Sequence, residues 1–187
     1  MSRMVALLRG INLGAARRVA MADLRECLEG LGYAEVETLL QSGNAVYRSQ
    51  DSAAEGERRI ERALLEQTGL EIPVAVRTAR QLAAVVRRNP LREQAVDPKR
   101  HHVVFLSAKP SASRVASIDP SAYEPELFQV HGRELYVWWP QGVHRARLTL
   151  PVIERKLGVV GTARNWNTVE KLAAIASVSR DNSGRRL

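Results

Sequence analysis

The stretch Ala34-Glu35-Val36-Glu37-Thr38-Leu39-Leu40-Gln41-Ser42-Gly43-Asn44-Ala45-Val46-Tyr47-Arg48 reads as two strands, 34–40 and 44–48, folded back around Gln41-Ser42-Gly43. A short polar, glycine-containing break between two β-rich runs is a hairpin signal. Upstream, Met21, Leu24, Cys27, Leu28 and Leu31 recur at helical spacing, and Gly32 supplies the stop. Before that helix, residues 3–9 form an apolar run that reads as a buried strand. Downstream, Ser52 with Glu55 predicts a capping box. The helix it opens presents Ile60, Ala63 and Leu64 and ends at Gly69. Residues 72–77 then alternate Ile72, Val74 and Val76, as a half-buried strand does. The order is β-α-β-β-α-β, the ferredoxin-like arrangement.

The pattern occurs a second time. Thr78 with Gln81 predicts another capping box, whose helix carries Leu82, Val85 and Val86 and stops before Pro90. Residues 90–100 are polar and contain prolines, as a linker would. A strand is expected over 101–107, a short helix over 111–118, and a hairpin over 126–130 and 133–138 turning at His131-Gly132. A helix from near Pro151 to Gly158 and a strand over 159–163 complete the repeat. A last helix follows, with Asn167 and Glu170 as its capping box and Val169, Leu172, Ala173, Ile175 and Ala176 on its apolar face. The expected chain is therefore α+β, with antiparallel sheets in two ferredoxin-like halves and an additional C-terminal helix. The expected domains are 1–89, a linker at 90–100, 101–177, and a disordered basic tail at 178–187. No similarity of sequence between the halves is evident, so the repeat is one of topology.

Composition narrows the function classes. The chain has 187 residues, 45% of them hydrophobic, and a formal net charge of +8. Such a balance favours anionic partners. The arginine clusters are spread along the chain, at Arg17-Arg18, Arg58-Arg59-Arg62, Arg87-Arg88-Arg92 and Arg185-Arg186. That dispersal fits solvated helix faces better than one nucleic-acid stripe. The single cysteine, Cys27, excludes an intramolecular disulfide and a cysteine-based zinc site, and its place on an apolar helix face makes it a structural thiol. No run has membrane-spanning length and no signal peptide opens the chain, so a soluble, cytoplasmic protein with no membrane partner is expected.

Three motifs carry a resemblance. They are Ala6-Leu7-Leu8-Arg9-Gly10-Ile11-Asn12-Leu13-Gly14 with Met21-Ala22-Asp23-Leu24, then Gln41-Ser42-Gly43-Asn44, then Thr162-Ala163-Arg164-Asn165-Trp166-Asn167-Thr168-Val169 with Lys171-Leu172. Together they resemble an uncharacterised bacterial family, a domain of unknown function, that begins ALLRGINVGG and ends with TRNWNT. Leu13 and Ala15 stand where that family more often has Val and Gly. The resemblance spans nearly the whole chain. It implies two ferredoxin-like halves and no established activity.

Topology places the polar motifs. The loop Gly10–Arg18 and the hairpin Gln41–Asn44 should lie side by side, gathering Arg9, Asn12, Gln41, Ser42 and Asn44 into one ligand-binding cluster. The helix from Met21 would point its N-terminus, with unpaired N–H groups, at the same edge. Gly10 and Gly14 would let the backbone approach a ligand. The competing reading is that Asn12, Asn44 and Ser42 satisfy turn backbone. Arg164 and Asn165 form a second wall or tie the last helix to the other half. Trp138-Trp139-Pro140 should come near them, and Trp166 should pack between the halves. In the second hairpin one face carries Phe128, Val130, Leu135 and Val137; the other carries Leu127, Tyr136 and Trp138. The latter face is open unless the other half or a partner subunit covers it.

Catalytic patterns are thin. His101 and His102 are adjacent on a strand and point to opposite faces, so they cannot be a ligand pair. Neither a metal-binding motif nor a nucleophile elbow is present, and no catalytic residue, metal or cofactor is called for. The leading expectation is a binding module for an anionic small molecule or nucleotide. The alternatives are a nucleic-acid-binding protein, a metal-independent hydrolase or transferase, and a structural or assembly role. The sequence leaves the oligomeric state open.

Overall fold

The computed structural model describes residues 1–13 and 17–178. Gly14, Ala15 and the expected tail from residue 179 onward lie outside the described residues. The first half runs β1 (Ser2–Leu8), α1 (Met21–Gly30), β2 (Ala34–Leu39), β3 (Asn44–Ser49), α2 (Ala53–Thr68) and β4 (Val74–Thr78), followed by α3 (Ala79–Arg88). The second runs β5 (His101–Leu106), α4 (Ala112–Ala116), β6 (Leu127–His131), β7 (Glu134–Trp138), α5 (Leu150–Leu157) and β8 (Gly161–Asn165), followed by α6 (Trp166–Ser177). The sheets have the strand orders β2-β3-β1-β4 and β6-β7-β5-β8, and every pairing is antiparallel. Two ferredoxin-like halves with a C-terminal helix are therefore present.

Strand alternation divides the core into three. Met4, Ala6 and Leu8 of β1 face α1 and α2, where they meet Leu24, Leu28, Ile60 and Leu64. Val104 and Leu106 of β5 face α5 and meet Ile153 and Leu157. The opposite faces of these two central strands, Val5 and Leu7 with Val103 and Phe105, join a shared core with Leu82 and Val85 of α3 and Val169 and Leu172 of α6. Both central strands are thus buried on both faces, which is why they read as continuous apolar runs. The segment 90–100 contributes Leu91 and Ala95 to the shared core.

Local signals account for most boundaries. The Thr78–Gln81 capping box forms with both of its bonds, and Gly69 and Gly158 stop α2 and α5 in the left-handed conformation. Two expectations are corrected. The second hairpin turns at Gly132-Arg133, with His131 opposite Glu134, and not at His131-Gly132. The register moves by two residues, so each side chain keeps its face. Phe128, Val130, Leu135 and Val137 pack on the α5 side as expected, and Tyr136 lies in the shared core. The cap of α6 is Asn165, not Asn167. β8 continues to Asn165, whose Oδ1 accepts from the Thr168 N–H at 3.0 Å and the Thr168 hydroxyl at 2.9 Å.

Gly43 is the tightest point of the first hairpin. Its φ is +74°, and a Cβ there would lie 2.7 Å from Ile11 Cδ1 and 2.8 Å from Leu8 Cβ. The Gly43→Ala variant is expected to lose about 2 kcal/mol or more of stability, measured as a lower urea midpoint at unchanged slope.

Candidate functional site

The β1–α1 loop and the β2–β3 hairpin meet at one sheet end. The Leu8 N–H donates to Gly43 O at 2.8 Å, and Asn12 Nδ2 donates to Gln41 O at 2.7 Å. Asn12 has a φ of +56°, a conformation asparagine tolerates better than most residues. Its carboxamide reads the Val19 peptide in both directions: Oδ1 accepts from Val19 N at 3.1 Å and Nδ2 donates to Val19 O at 2.9 Å. Its own N–H closes the loop on Arg17 O at 2.8 Å. Asn12 therefore fastens Arg17 and Val19 to itself and ties them to the hairpin.

Asn44 is fully buried. Its Nδ2 donates to Leu39 O at 2.8 Å and to Ser42 Oγ at 2.9 Å, and its Oδ1 accepts from Arg164 Nε at 2.5 Å. Arg164 arrives from β8 of the other half. Its Nη1 donates to Thr162 Oγ1 and Ala163 O, both at 2.8 Å. Its Nη2 donates to Leu8 O at 2.8 Å, Ser42 O at 2.9 Å and Gly43 O at 3.2 Å. Every guanidinium nitrogen is engaged, and no carboxylate pairs with it among the described residues. Burial pushes its pKa down to about 10, which leaves it a cation at neutral pH. Carbonyl dipoles and the Asn44 amide carry that charge.

Arg9 turns the other way. It forms a two-pronged pair with Glu154 of α5, Nε to Oε1 at 3.0 Å and Nη2 to Oε2 at 2.8 Å, and Nε also reaches Gly161 O at 3.0 Å. Glu154 Oε1 accepts from the Gly161 N–H at 2.8 Å. Asn165 caps α6 and stands outside the cluster. The structure thus brings together Asn12, Gln41, Ser42, Asn44 and Arg164. Arg9 joins the same pair of halves through a different contact. The groups at the corner that face solvent are Gln41, Ser42, Arg17 and Arg18. Arg17 and Arg18 were recognisable in the sequence as a basic pair, but only the closed loop puts them beside the hairpin.

A second buried arginine escaped the sequence reading. Arg77 of β4 is 1% exposed and donates from Nε to Glu134 Oε1 at 2.8 Å. Its Nη2 donates to Leu106 O at 3.0 Å and Arg133 O at 3.1 Å. Its guanidinium also lies 5.6 Å from the centre of the Phe105 ring. The signal was a lone charge on a strand face that is otherwise apolar, between Ala75 and the capping Thr78.

The edge where β7 and β8 finish is aromatic. His101 pairs with Trp138 and His102 with Asn165 across the sheet. The His101 ring stacks on Trp166 at 4.6 Å, and His102 leans on Trp139 at 4.8 Å. Trp166 joins the shared core, as expected. Tyr136 is fully buried, its hydroxyl donating to Val85 O of α3 at 3.0 Å, so α3 and the opposite sheet cover that face. It offers bases no stacking platform. Cys27 is partly buried against α1's core, and burial raises its thiol pKa.

This chain therefore belongs to the class of proteins that fuse two ferredoxin-like halves through a buried polar seam. Residues 1–136 match the model of the family described as "Protein of unknown function (DUF1697)", and the chain is a member of that family. No curated protein matches it. Among solved structures, the conserved bacterial protein SP0830 from Streptococcus pneumoniae is similar at a TM-score of 0.74 and 20% identity, over 94% of this chain and 98% of that one. That likeness is one of fold. No helix among the described residues is long and apolar enough to cross a membrane.

Two predictions follow from the buried groups. Arg164→Met removes the guanidinium donors from the carbonyls of Leu8, Ser42 and Gly43 and from Asn44 Oδ1, although Gly43 O keeps the Leu8 N–H and Leu8 O the Thr162 hydroxyl. It is expected to cost about 3 kcal/mol or more in urea unfolding, with Arg164→Lys intermediate. His101 is 1% exposed, and burial, with His102 adding to it, pushes its pKa down to about 4 from 6.5. Between those values the unfolded chain takes up a proton that the folded chain refuses, so stability is complete above pH 6.5 and falls as the pH drops toward 4. Thermal melts across that range should depend less steeply on pH in His101→Phe, the remaining slope including His102, whose pKa burial also lowers.

Proposed function

We propose that this protein is a binding module for a small phosphate-bearing anion, with the β1–α1 loop as its mouth. The observation that carries this reading is an asymmetry between the two halves. The connection from β1 to α1 takes up residues 9–20, whereas the equivalent connection from β5 to α4 takes only 107–111. The long loop ends at a helix whose start is left open. Ala20 precedes α1 with no side-chain cap, as Thr149 precedes α5, while α2, α3, α4 and α6 begin with Ser52, Thr78, Ser111 and Asn165 as hydrogen-bonded caps. Uncapped N–H groups and the positive end of the helix dipole favour an anion.

Side chains of the right kind lie on the two segments that Asn12 joins. Arg17 and Arg18 are exposed just before α1, and Gln41 and Ser42 are exposed on the adjoining hairpin. Asn12 holds the two segments together. In this reading Asn44, Arg164 and Arg9 frame the site by fixing the hairpin and the loop's first residues. Asn165 serves α6. The net charge of +8 supports the same sign of ligand.

The test is a melting-shift titration with pyrophosphate, ATP and GTP on the full chain. At least one of them is expected to raise the melting temperature in a saturable way. The double variant Arg17→Ala/Arg18→Ala should melt within about a degree of the parent, since exposed substitutions change stability little, yet lose the shift. Asn12→Ala should lose both stability, by about 1–2 kcal/mol, and the shift. A parent indifferent to all three probes, or an arginine double variant that responds as the parent does, would sink the reading.

A further inference from the structure

Arg77 and Arg164 occupy the same place in the two halves. Arg77 lies opposite Val5 where β4 pairs with β1, and Arg164 lies opposite Val103 where β8 pairs with β5. Each immediately precedes the cap of the helix that follows, Thr78 for α3 and Asn165 for α6. Each of Arg77's four hydrogen bonds has a counterpart at Arg164, which adds bonds to Thr162 Oγ1 and Ser42 O. Nη2 of each donates to the last residue of the first strand in the opposite half: Arg164 to Leu8 O at 2.8 Å, Arg77 to Leu106 O at 3.0 Å. The same nitrogen donates to the residue just before the third strand of that half: Arg164 to Gly43 O at 3.2 Å, Arg77 to Arg133 O at 3.1 Å. Nε of each donates to the first side chain of that strand: Arg164 to Asn44 Oδ1 at 2.5 Å, Arg77 to Glu134 Oε1 at 2.8 Å. Nη1 of each donates to the preceding carbonyl of its own strand, Ala163 O at 2.8 Å and Val76 O at 2.9 Å.

Contacts in which position i of one partner meets position j of the other, and j meets i, define an isologous, twofold interface. Two unrelated domains joined by a linker have no reason to reproduce that reciprocity bond for bond. The outer contacts are looser. Arg9 reaches Glu154, but Ser107 stands at the matching position of the second half, and Arg133 reaches Glu57 there instead, at 2.8 Å.

We propose that the chain is a fused dimer: the seam between the halves is a self-complementary protein–protein interface, built on the shared apolar core and oriented by its reciprocal arginine clamps, that holds without an unbroken 90–100 crossover and is able to take the complementary half of a second copy. Beyond the packing of Leu91 and Ala95, the crossover then sets the local concentration of one half at the other.

The experiment keeps the full chain. A specific protease sequence is inserted after the exposed Val96 and the purified, folded protein is cut there. The cut protein is expected to keep its circular dichroism and its full mass on a sizing column with light scattering. Its urea midpoint should rise with protein concentration, as the uncut chain's should not. Refolding a mixture of cut protein and a cut copy tagged on one half should yield hybrids. Arg77→Lys and Arg164→Lys, each first shown folded as uncut chains, should weaken re-association of the cut halves by similar factors, about tenfold each. Separation of the two fragments at micromolar concentration, the absence of hybrids, or weakening by only one of the two variants would overturn the proposal.

Discussion

The Arg164 guanidinium is a cation held inside the protein by neutral groups. It crosses from β8 into the first half and gathers the carbonyls of Leu8, Ser42 and Gly43 with the amide of Asn44. Those carbonyls belong to the end of β1 and to the β2–β3 turn, where the bond from the Leu8 N–H to Gly43 O leaves acceptor capacity for a further donor. One planar side chain with a fan of donors satisfies several of them at once, which a lysine's compact ammonium does less well. Much of the first half's polar corner is arranged around this group. Asn44 positions Ser42, Asn12 positions the loop against Gln41, and Gly43 lets the turn pass over Ile11.

A charge can be buried here because the two sheets leave a dry shared core on one side of it. Val5, Leu7, Val103, Phe105 and Tyr136 fill that core, and α3 and α6 close its flanks. The extra helices are thus part of the seam and not appendages. Each half alone would expose one face of its sheet, and the second half removes it from water. The hydrophobic term provides the bulk of the association, and the arginines fix how the halves are oriented, since only one docking angle satisfies both sets of carbonyls.

Where the halves depart from one another is informative in its own right. Matched strands, the matched caps of α3 and α6 and matched arginines describe a scaffold. The connection before α1 is long and that helix starts uncapped, whereas the equivalent connection before α4 is short and α4 is capped by Ser111. Binding groups in proteins concentrate on loops held by rigid elements, and this loop is held by Asn12.

Local chemistry was sufficient for the element order, the faces of the helices, the Thr78 cap and the ends at Gly69 and Gly158, because each depends on residues within a few positions of each other. The faces of the second hairpin were legible even though its turn was placed one residue early, since that shifts the cross-strand register by two and strand side chains alternate with a period of two. The start of α6 was not: the spacing of Asn167 and Glu170 pointed to Asn167, and only the pairing of β8 with β5 carried the strand through Asn165 and made that residue the cap. The sequence also named Asn12, Asn44 and Arg164 as polar residues in need of an explanation. Asn12 and Asn44 satisfy nearby backbone and Ser42, as turn asparagines do, but the contacts of Arg164 lie up to 156 residues away, so no local pattern could assign them. The equivalence of Arg77 and Arg164 was hidden for the same reason. It is an equivalence of position and bonding, and it became visible only when both strands were paired and both guanidinium groups were seen to cross the same seam in opposite directions.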